Sequence, residues 1–343
     1  MLARFLLVVV LLCGVFVALL LRDGTLVTPV GDGSVTVSGQ AFERLVLPGY
    51  ATRHLTPDYK SYLVEVAPGI KVHMLEVGEG FPVYMQHGNP TSGFLYRKVA
   101  SELPLDKVRV ILPTLVGLGF SSKIPASQHT AENHINWIHA ALSAINLKEV
   151  IYVGQDWGGP IGMGAMAMSP GTLRGAVVMN TGFTAPREEQ ALSPSHALVQ
   201  TPVLGELLIE VIARHSPMLR NVQGDPESFT DEIDNLYKQP QIDDGNYKAM
   251  LAMMRMVPDG PEHPDAAMIR FVEEYVDTLD VPAELVWGMK DPILAQGLPP
   301  MQQQFPDAPV TETQAGHFLQ EEVPEVIAGA ILRVLAQVQA SPR

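Results

Sequence analysis

Gly154-Gln155-Asp156-Trp157-Gly158-Gly159 follows an apolar run at 150–153 and precedes a small-residue stretch at 159–168. A buried strand, a glycine-bounded turn and a helix, in that order, are the setting of a nucleophile elbow, which presents one strained residue at the carboxyl edge of a parallel sheet. Here that residue is Asp156 rather than a serine. An ionised carboxylate attacks without a base, displaces a leaving group and forms an alkyl-enzyme ester, so the first step needs no proton transfer. The plain alternative is an N-cap carboxylate held by the helix dipole.

Working outward, mostly continuous apolar runs at 83–86, 108–112, 150–153, 175–180, 284–287 and 310–313 predict parallel strands covered on both faces. Segments 62–66 and 71–77 alternate in polarity and predict an antiparallel pair at a sheet edge, making eight strands in all. Crossover helices are expected at 130–145, capped by Thr130, and from Pro324 to the end of the chain. The gap between the strand ending at Asn180 and the one starting at Glu284 is too long for one crossover and is mainly helical in pattern, with helices expected at 203–214, 231–237, 247–256 and 266–279, the last belonging to the main fold and 183–264 being inserted. It predicts a cap over the carboxyl ends of the strands, where open α/β sheets bind ligands. The expected core is then 43–182 and 265–343, an α/β fold whose mostly parallel eight-stranded sheet is flanked by helices, with the cap inserted after the sixth strand.

Composition narrows the partners. A chain of 343 residues with 47% hydrophobic content has ample material for a core. Its formal net charge of -14, with no Lys/Arg cluster, argues against nucleic acid. The single cysteine, Cys13, excludes an intrachain disulfide. It lies in an uncharged stretch, 5–21, bracketed by Arg4 and Arg22, so residues 1–22 are expected to be a membrane anchor or signal. An uncleaved anchor is preferred because no A-x-A-like site precedes Arg22, and the slight charge bias places the enzyme outside the cytoplasm. Residues 23–42, rich in Gly, Pro and small polar types, are expected to be a tether.

Further residues complete a constellation around Asp156. His87-Gly88-Asn89-Pro90 follows the strand at 83–86, where this architecture places one oxyanion donor; the residue after the nucleophile supplies the other. The backbone N–H groups of Asn89 and Trp157 fit those roles. His317, in Ala315-Gly316-His317-Phe318 after the last strand, is placed to activate water, whereas His87 is expected to be structural. An acid to orient the imidazole belongs after the strand ending at Asn180 or after Trp287. Position 180 is an amide, while Gly288-Met289-Lys290-Asp291-Pro292 offers a carboxylate in a turn, so Asp291 is the expected acid. Its plain alternative is ordinary Asp-Pro turn chemistry.

Together with Thr91-Ser92 and Gly117-Leu118-Gly119-Phe120-Ser121, these motifs resemble the haloalkane dehalogenases of the α/β-hydrolase fold over roughly residues 45 to 335. The resemblance implies hydrolysis of a small neutral halogenated substrate with water, releasing halide, without cofactor or metal. It also implies that the leaving halide is held by the indole N–H of Trp157 plus a second donor. No tryptophan lies in the cap, the three being Trp137, Trp157 and Trp287, so Asn89 is that donor. This looks like the third subfamily, with an Asp-His-Asp triad and an Asn/Trp halide pair. One departure is Pro113-Thr114, where members usually carry Pro-Asp before the Gly-x-Gly turn.

Rival readings share the Asp elbow. Epoxide hydrolases use two cap tyrosines, for which Tyr237 and Tyr247 are the candidates, but typically carry an aromatic residue after His-Gly. Fluoroacetate dehalogenases bind a carboxylate with arginines where this chain has Thr114-Leu115-Val116. A non-catalytic binding module is the reading from a different class, since fold alone does not guarantee activity. The related fold of coelenterazine luciferases also supports cofactor-independent oxygenation.

Overall fold

The structure is a computed structural model that describes residues 2–340, with the side chains of all of these except 2–10 and 195. Its strands are β1 Ser34–Val37, β2 Gln40–Arg44, β3 Lys60–Ala67, β4 Ile70–Val77, β5 Phe81–Gln86, β6 Val108–Pro113, β7 Val150–Gln155, β8 Leu173–Met179, β9 Ala283–Gly288 and β10 Val310–Thr313. They form one ten-stranded sheet in the order β1-β2-β3-β4-β6-β5-β7-β8-β9-β10. All pairings from β6 through β10 are parallel, and the β1 to β4 edge is antiparallel.

The eight expected strands are therefore joined by two more, in and beside the stretch expected to be a tether. Ser38 and Gly39 both have positive φ, 51° and 80°, which is the two-residue turn that lets a hairpin keep the right-handed twist of its strands. Val37 is buried against the core, so the hairpin has an apolar anchor.

Strand β7 shows how the sheet is held. Ile151 and Val153 enter one apolar cluster with Val99, Ile331 and Val334, while Val150 and Tyr152 enter the other with Ile138, Ile161 and Ile269. The period-two alternation of a strand thus feeds two helical layers: Ala131–Ala144, Gly158–Ala167 and Ala266–Val276 on one face, Pro324–Ala340 on the other. Each such side chain contributes roughly 1.5–3 kcal/mol on burial. Thr130 accepts from the Asn133 N–H, as its N-cap position predicts. The charge within β9 is accommodated by a two-pronged ion pair, Arg333 Nε and Nη2 to Glu284 at 2.8 and 2.6 Å, which ties the last helix to β9.

Between β8 and β9 the chain is mainly helical, in the stretch expected to be a cap. Helices occupy Pro194–Gln200, Asp231–Asp243 and Ala249–Arg255; the first was not expected, and the expected helix 203–214 is instead a short α-turn continuing into a π-helical turn at Leu207–Ile212. Residues Leu2–Leu20 are helical, but among the described residues no helix is long and apolar enough to cross a membrane. The side chains of 5–10, part of the span expected at 5–21, lie outside the described residues. The segment that follows is bound to the cap and core: Lys248 Nζ donates to the Leu20 carbonyl at 2.9 Å and Ser127 Oγ to Asp23 at 2.6 Å.

Strand order positions the site. Strands β6 and β7 flank β5, so the chain leaves the sheet in opposite directions around β5 and a crevice opens at the carboxyl ends of β5 and β7.

Candidate active site

Asp156 follows β7 with φ of 52°, a left-handed conformation that costs a non-glycine residue about 1–3 kcal/mol. Its surroundings fix that geometry: its N–H donates to the Asn180 carbonyl at 2.9 Å, and its carbonyl accepts from Thr181 Oγ1 at 2.7 Å and from Gly159 N at 2.9 Å. Glycine is required beside it. A Cβ on Gly158 would collide with the Gln86 carbonyl, and one on Gly88 with the Asp156 carboxylate itself.

The loop after β5 is the neighbour of that carboxylate. The Asn89 N–H donates to Asp156 Oδ1 at 2.7 Å, not to Oδ2. His87 is structural, as expected: Nδ1 donates to the Gly88 carbonyl at 2.8 Å, Nε2 accepts from the Leu115 N–H at 2.9 Å, and burial pushes the imidazole down to about 4. At the departure from the usual Pro-Asp, Thr114 Oγ1 accepts from the Gly93 N–H at 3.1 Å, so a hydroxyl ties down the loop there.

His317 lies across from Asp156, with Nε2 3.8 Å from Oδ2. Its Nδ1 is 2.9 Å from Asp291 Oδ2, and ring and carboxylate are both buried. Asp291 also accepts from the Ile293 N–H at 2.8 Å and Asn180 Nδ2 at 2.9 Å. Burial opposes its charge, but the imidazole and these hydrogen bonds prevail and hold the carboxyl below its ordinary value. For His317, burial favours the neutral ring; Asp291 and then Asp156 favour the cation, and the net shift is upward. Both expected positions for the acid therefore take part, one as carboxylate and the other as the amide holding it.

Asp156 and Trp157 line a cavity of about 210 Å³ whose walls include Pro160, Val257, Ile269 and Leu294. The indole N–H of Trp157 has no hydrogen-bond partner among the described residues. Asn89 does not line this cavity. Its Nδ2 donates to the Met250 carbonyl of the cap at 2.9 Å, committing one of two amide protons, and its Oδ1 is buried without a partner. The cap tyrosines are elsewhere. Tyr237 OH donates to Glu321 at 3.1 Å beside Arg97, and the Tyr247 ring packs under Arg214.

Two supports escaped the sequence reading. His196, on the helix Pro194–Gln200, feels the charge of Asp156; burial is the larger influence and leaves the imidazole below its ordinary value. Glu322 Oε1 accepts from the Gly316 and Gly224 N–H groups, pinning the His317 loop to the cap. Neither has a sequence signal, because each relation joins distant segments: an electrostatic influence for His196 and hydrogen bonds for Glu322.

Residues 82–203 match the α/β-hydrolase fold family. The chain is 28% identical over 267 residues to a cis-3-alkyl-4-alkyloxetan-2-one decarboxylase of Shewanella oneidensis, covering 75% of this chain and 83% of that one. It is 29% identical over 261 residues to haloalkane dehalogenase 2 of Mycobacterium tuberculosis, covering 73% and 86%. Among solved structures it is similar to the haloalkane dehalogenase DatA of Agrobacterium tumefaciens C58, with a TM-score of 0.70, 26% identity and coverage of 83% of this chain and 99% of that one.

Proposed function

We propose that this chain, which belongs to the haloalkane dehalogenase family of the α/β-hydrolase fold, hydrolyses a carbon-halogen bond through an ester on Asp156. Asp156 Oδ2 attacks an sp3 carbon and the halide departs with the bonding electrons, held by the indole N–H of Trp157 and the second amide proton of Asn89. His317, oriented by Asp291, then takes a proton from water, and the resulting hydroxide adds to the Asp156 carboxyl carbon. The negative charge develops on Oδ1, where the Asn89 N–H already donates at 2.7 Å. Collapse expels the alcohol oxygen, which takes the proton from His317, and the carboxyl ionises to regenerate Asp156. The balance is one water consumed and one alcohol, one halide and one proton released.

The observation that carries this reading is the division of labour on one carboxylate: Oδ1 is held by a backbone donor while Oδ2 faces His317 at 3.8 Å. Alkylation also removes the Asp156 charge that helps keep His317 protonated, so forming the ester favours the neutral base needed next. The purified chain should release bromide from short bromoalkanes, and a His317→Ala variant should accumulate a mass adduct on Asp156. Absence of both outcomes removes the reading. Epoxide opening is disfavoured because Tyr237 is committed to Glu321.

One observation favours a second reading. With one Asn89 amide proton on Met250 and the side chain outside the cavity, the second halide donor is weakened, which suits a leaving group that stays attached to the substrate. In an oxetan-2-one, attack of Asp156 on the sp3 ring carbon breaks its C–O bond and frees a carboxylate. Loss of CO2 then supplies the electron pair of an alkene as Asp156 leaves, with no water consumed. Alkene and CO2 from a cis-dialkyl oxetan-2-one, without bromide release from bromoalkanes, would select this reading.

The third-subfamily pattern of an Asp156-His317-Asp291 triad with Asn89 and Trp157 is part of the proposal. So is an extracytoplasmic location through the N-terminal segment, which rests on the uncharged stretch 5–21 alone; membrane fractionation of the full chain tests it.

A further inference from the structure

We infer that Gln155 is a positioning residue for the base: its side-chain amide fixes His317 as the tautomer that carries its proton on Nδ1 and leaves Nε2 free to accept one. The kinetic part of this inference rests on the dehalogenase reading; the tautomer itself does not.

Gln155 ends β7 immediately before the nucleophile, and its side chain is fully buried. Its Nε2 donates to the His317 carbonyl at 3.0 Å and lies 3.3 Å from His317 Nε2. The carbonyl settles which end of the amide faces the histidine, because the reversed amide would place Oε1 against another oxygen with no proton between them. An N–H therefore points at the ring nitrogen, and a ring nitrogen facing an N–H must be unprotonated. On the opposite side of the ring, the Asp291 carboxylate can only accept, so Nδ1 carries the proton at 2.9 Å. The two constraints come from different segments and demand the same tautomer.

Base and nucleophile are thereby registered to each other through consecutive residues. The amide is anchored on the backbone of His317 and touches its ring, so the imidazole cannot rotate away from Asp156 without losing the ring contact. The ring contact is the longer of the two, and an incoming water can replace it while the carbonyl bond keeps the amide in place. Gln155 Oε1 is buried without a partner, so full burial of this amide carries a cost that an apolar side chain of the same shape would avoid. The charged groups facing the ring are Asp291 and Asp156, and both favour the imidazolium. Gln155 is the group beside the ring that favours the neutral form.

The test is nitrogen NMR of histidine-labelled full-length protein, with His317 assigned by its loss in a His317→Gln variant, alongside single-turnover kinetics with a bromoalkane. In the parent protein, above the pH at which the ring titrates, His317 should show a protonated Nδ1 and an unprotonated Nε2. In Gln155→Met, the ring should titrate about half to one pH unit higher, as expected for loss of one ordinary hydrogen bond to the neutral form. The acid limb of ester hydrolysis should move by the same amount, while the initial bromide burst keeps its rate. A parent His317 with its proton on Nε2 overturns the inference. So does a Gln155→Met protein with unchanged ring titration in which burst and hydrolysis slow together. If that variant does not fold, Gln155→Leu takes its place and is read the same way. If the parent releases no bromide, the dehalogenase reading falls while the tautomer and titration still judge Gln155.

Discussion

Asn180 Nδ2 donates to Asp291 Oδ2 at 2.9 Å, and Asn180 Oδ1 accepts from the Gly288 N–H at 2.7 Å. The amide at the end of β8 thus clamps the turn that carries the acid after β9. Position 180 is one hydrogen bond away from the carboxylate that holds the imidazole. Asp291→Asn should lower turnover by about a thousandfold or more while the ester still forms, because the wrong tautomer is then favoured. Adding Asn180→Asp should recover at least about tenfold of that loss, measured as steady-state halide release. No recovery in a folded double variant would mean that the β8 position cannot reach His317.

The two chemical steps should differ in pH dependence. In the proposed mechanism the bromide burst uses Asp156 without the base, whereas ester hydrolysis needs neutral His317, whose protonated form is favoured by Asp291 and Asp156 despite burial. Hydrolysis should therefore fail along a single-proton limb on the acid side while the burst stays level across the same range. The linked stability has the opposite sense. A folded-state value above the ordinary 6.5 means that the charged ring stabilises the fold below that pH, and that this is lost as pH rises through the folded value. His317→Gln should cost more stability at pH 6 than at pH 9, read from paired denaturant titrations.

Trp157 offers the free indole N–H beside the nucleophile, so Trp157→Phe should lower kcat/KM for bromoalkanes by about a hundredfold through loss of one preorganised donor. If the oxetanone reading holds instead, the same variant should barely affect alkene formation. Parallel assays on the two substrates separate these outcomes.

Two glycines of the site should behave oppositely. Gly88→Ala drives its methyl into the Asp156 carboxylate and should reduce activity by about a hundredfold or more, the scale of a small misplacement at a reacting centre. Gly182 lines the cavity with no heavy atom near its missing Cβ, so Gly182→Ala should leave melting temperature and burst unchanged. Equal damage at both positions would mean that the carboxylate can move aside.

Much of this was legible in the chain because the deciding signals are local. Continuous apolar runs specify strands buried on both faces, and Asp156, Asn89 and Asp291 each follow such a run; His317 instead follows β10, Val-Thr-Glu-Thr, an edge strand that is only partly buried and not covered on both faces as expected. The β1–β2 hairpin was less visible, its Ser38-Gly39 turn lying in a stretch of small polar residues that resembles a linker. The commitment of the Asn89 amide to Met250 and the grip of Gln155 on His317 join segments far apart in sequence, and no periodicity encodes them.

Tyr237 offers a direct test against ring-opening chemistry. Its hydroxyl donates to Glu321, which also takes a two-pronged bond from Arg97 at 2.6 and 2.9 Å, four residues beyond His317. A phenol so engaged supports the base loop and is unavailable to an epoxide oxygen. Tyr237→Phe removes one donor to a carboxylate that keeps its guanidinium partner, so stability should fall by about 1 kcal/mol. Halide release should remain within about threefold of the parent, because no reacting atom loses a contact. An enzyme that needed this phenol as an acid would instead lose activity by orders of magnitude with little change in unfolding midpoint, and that result would return the epoxide reading to first place.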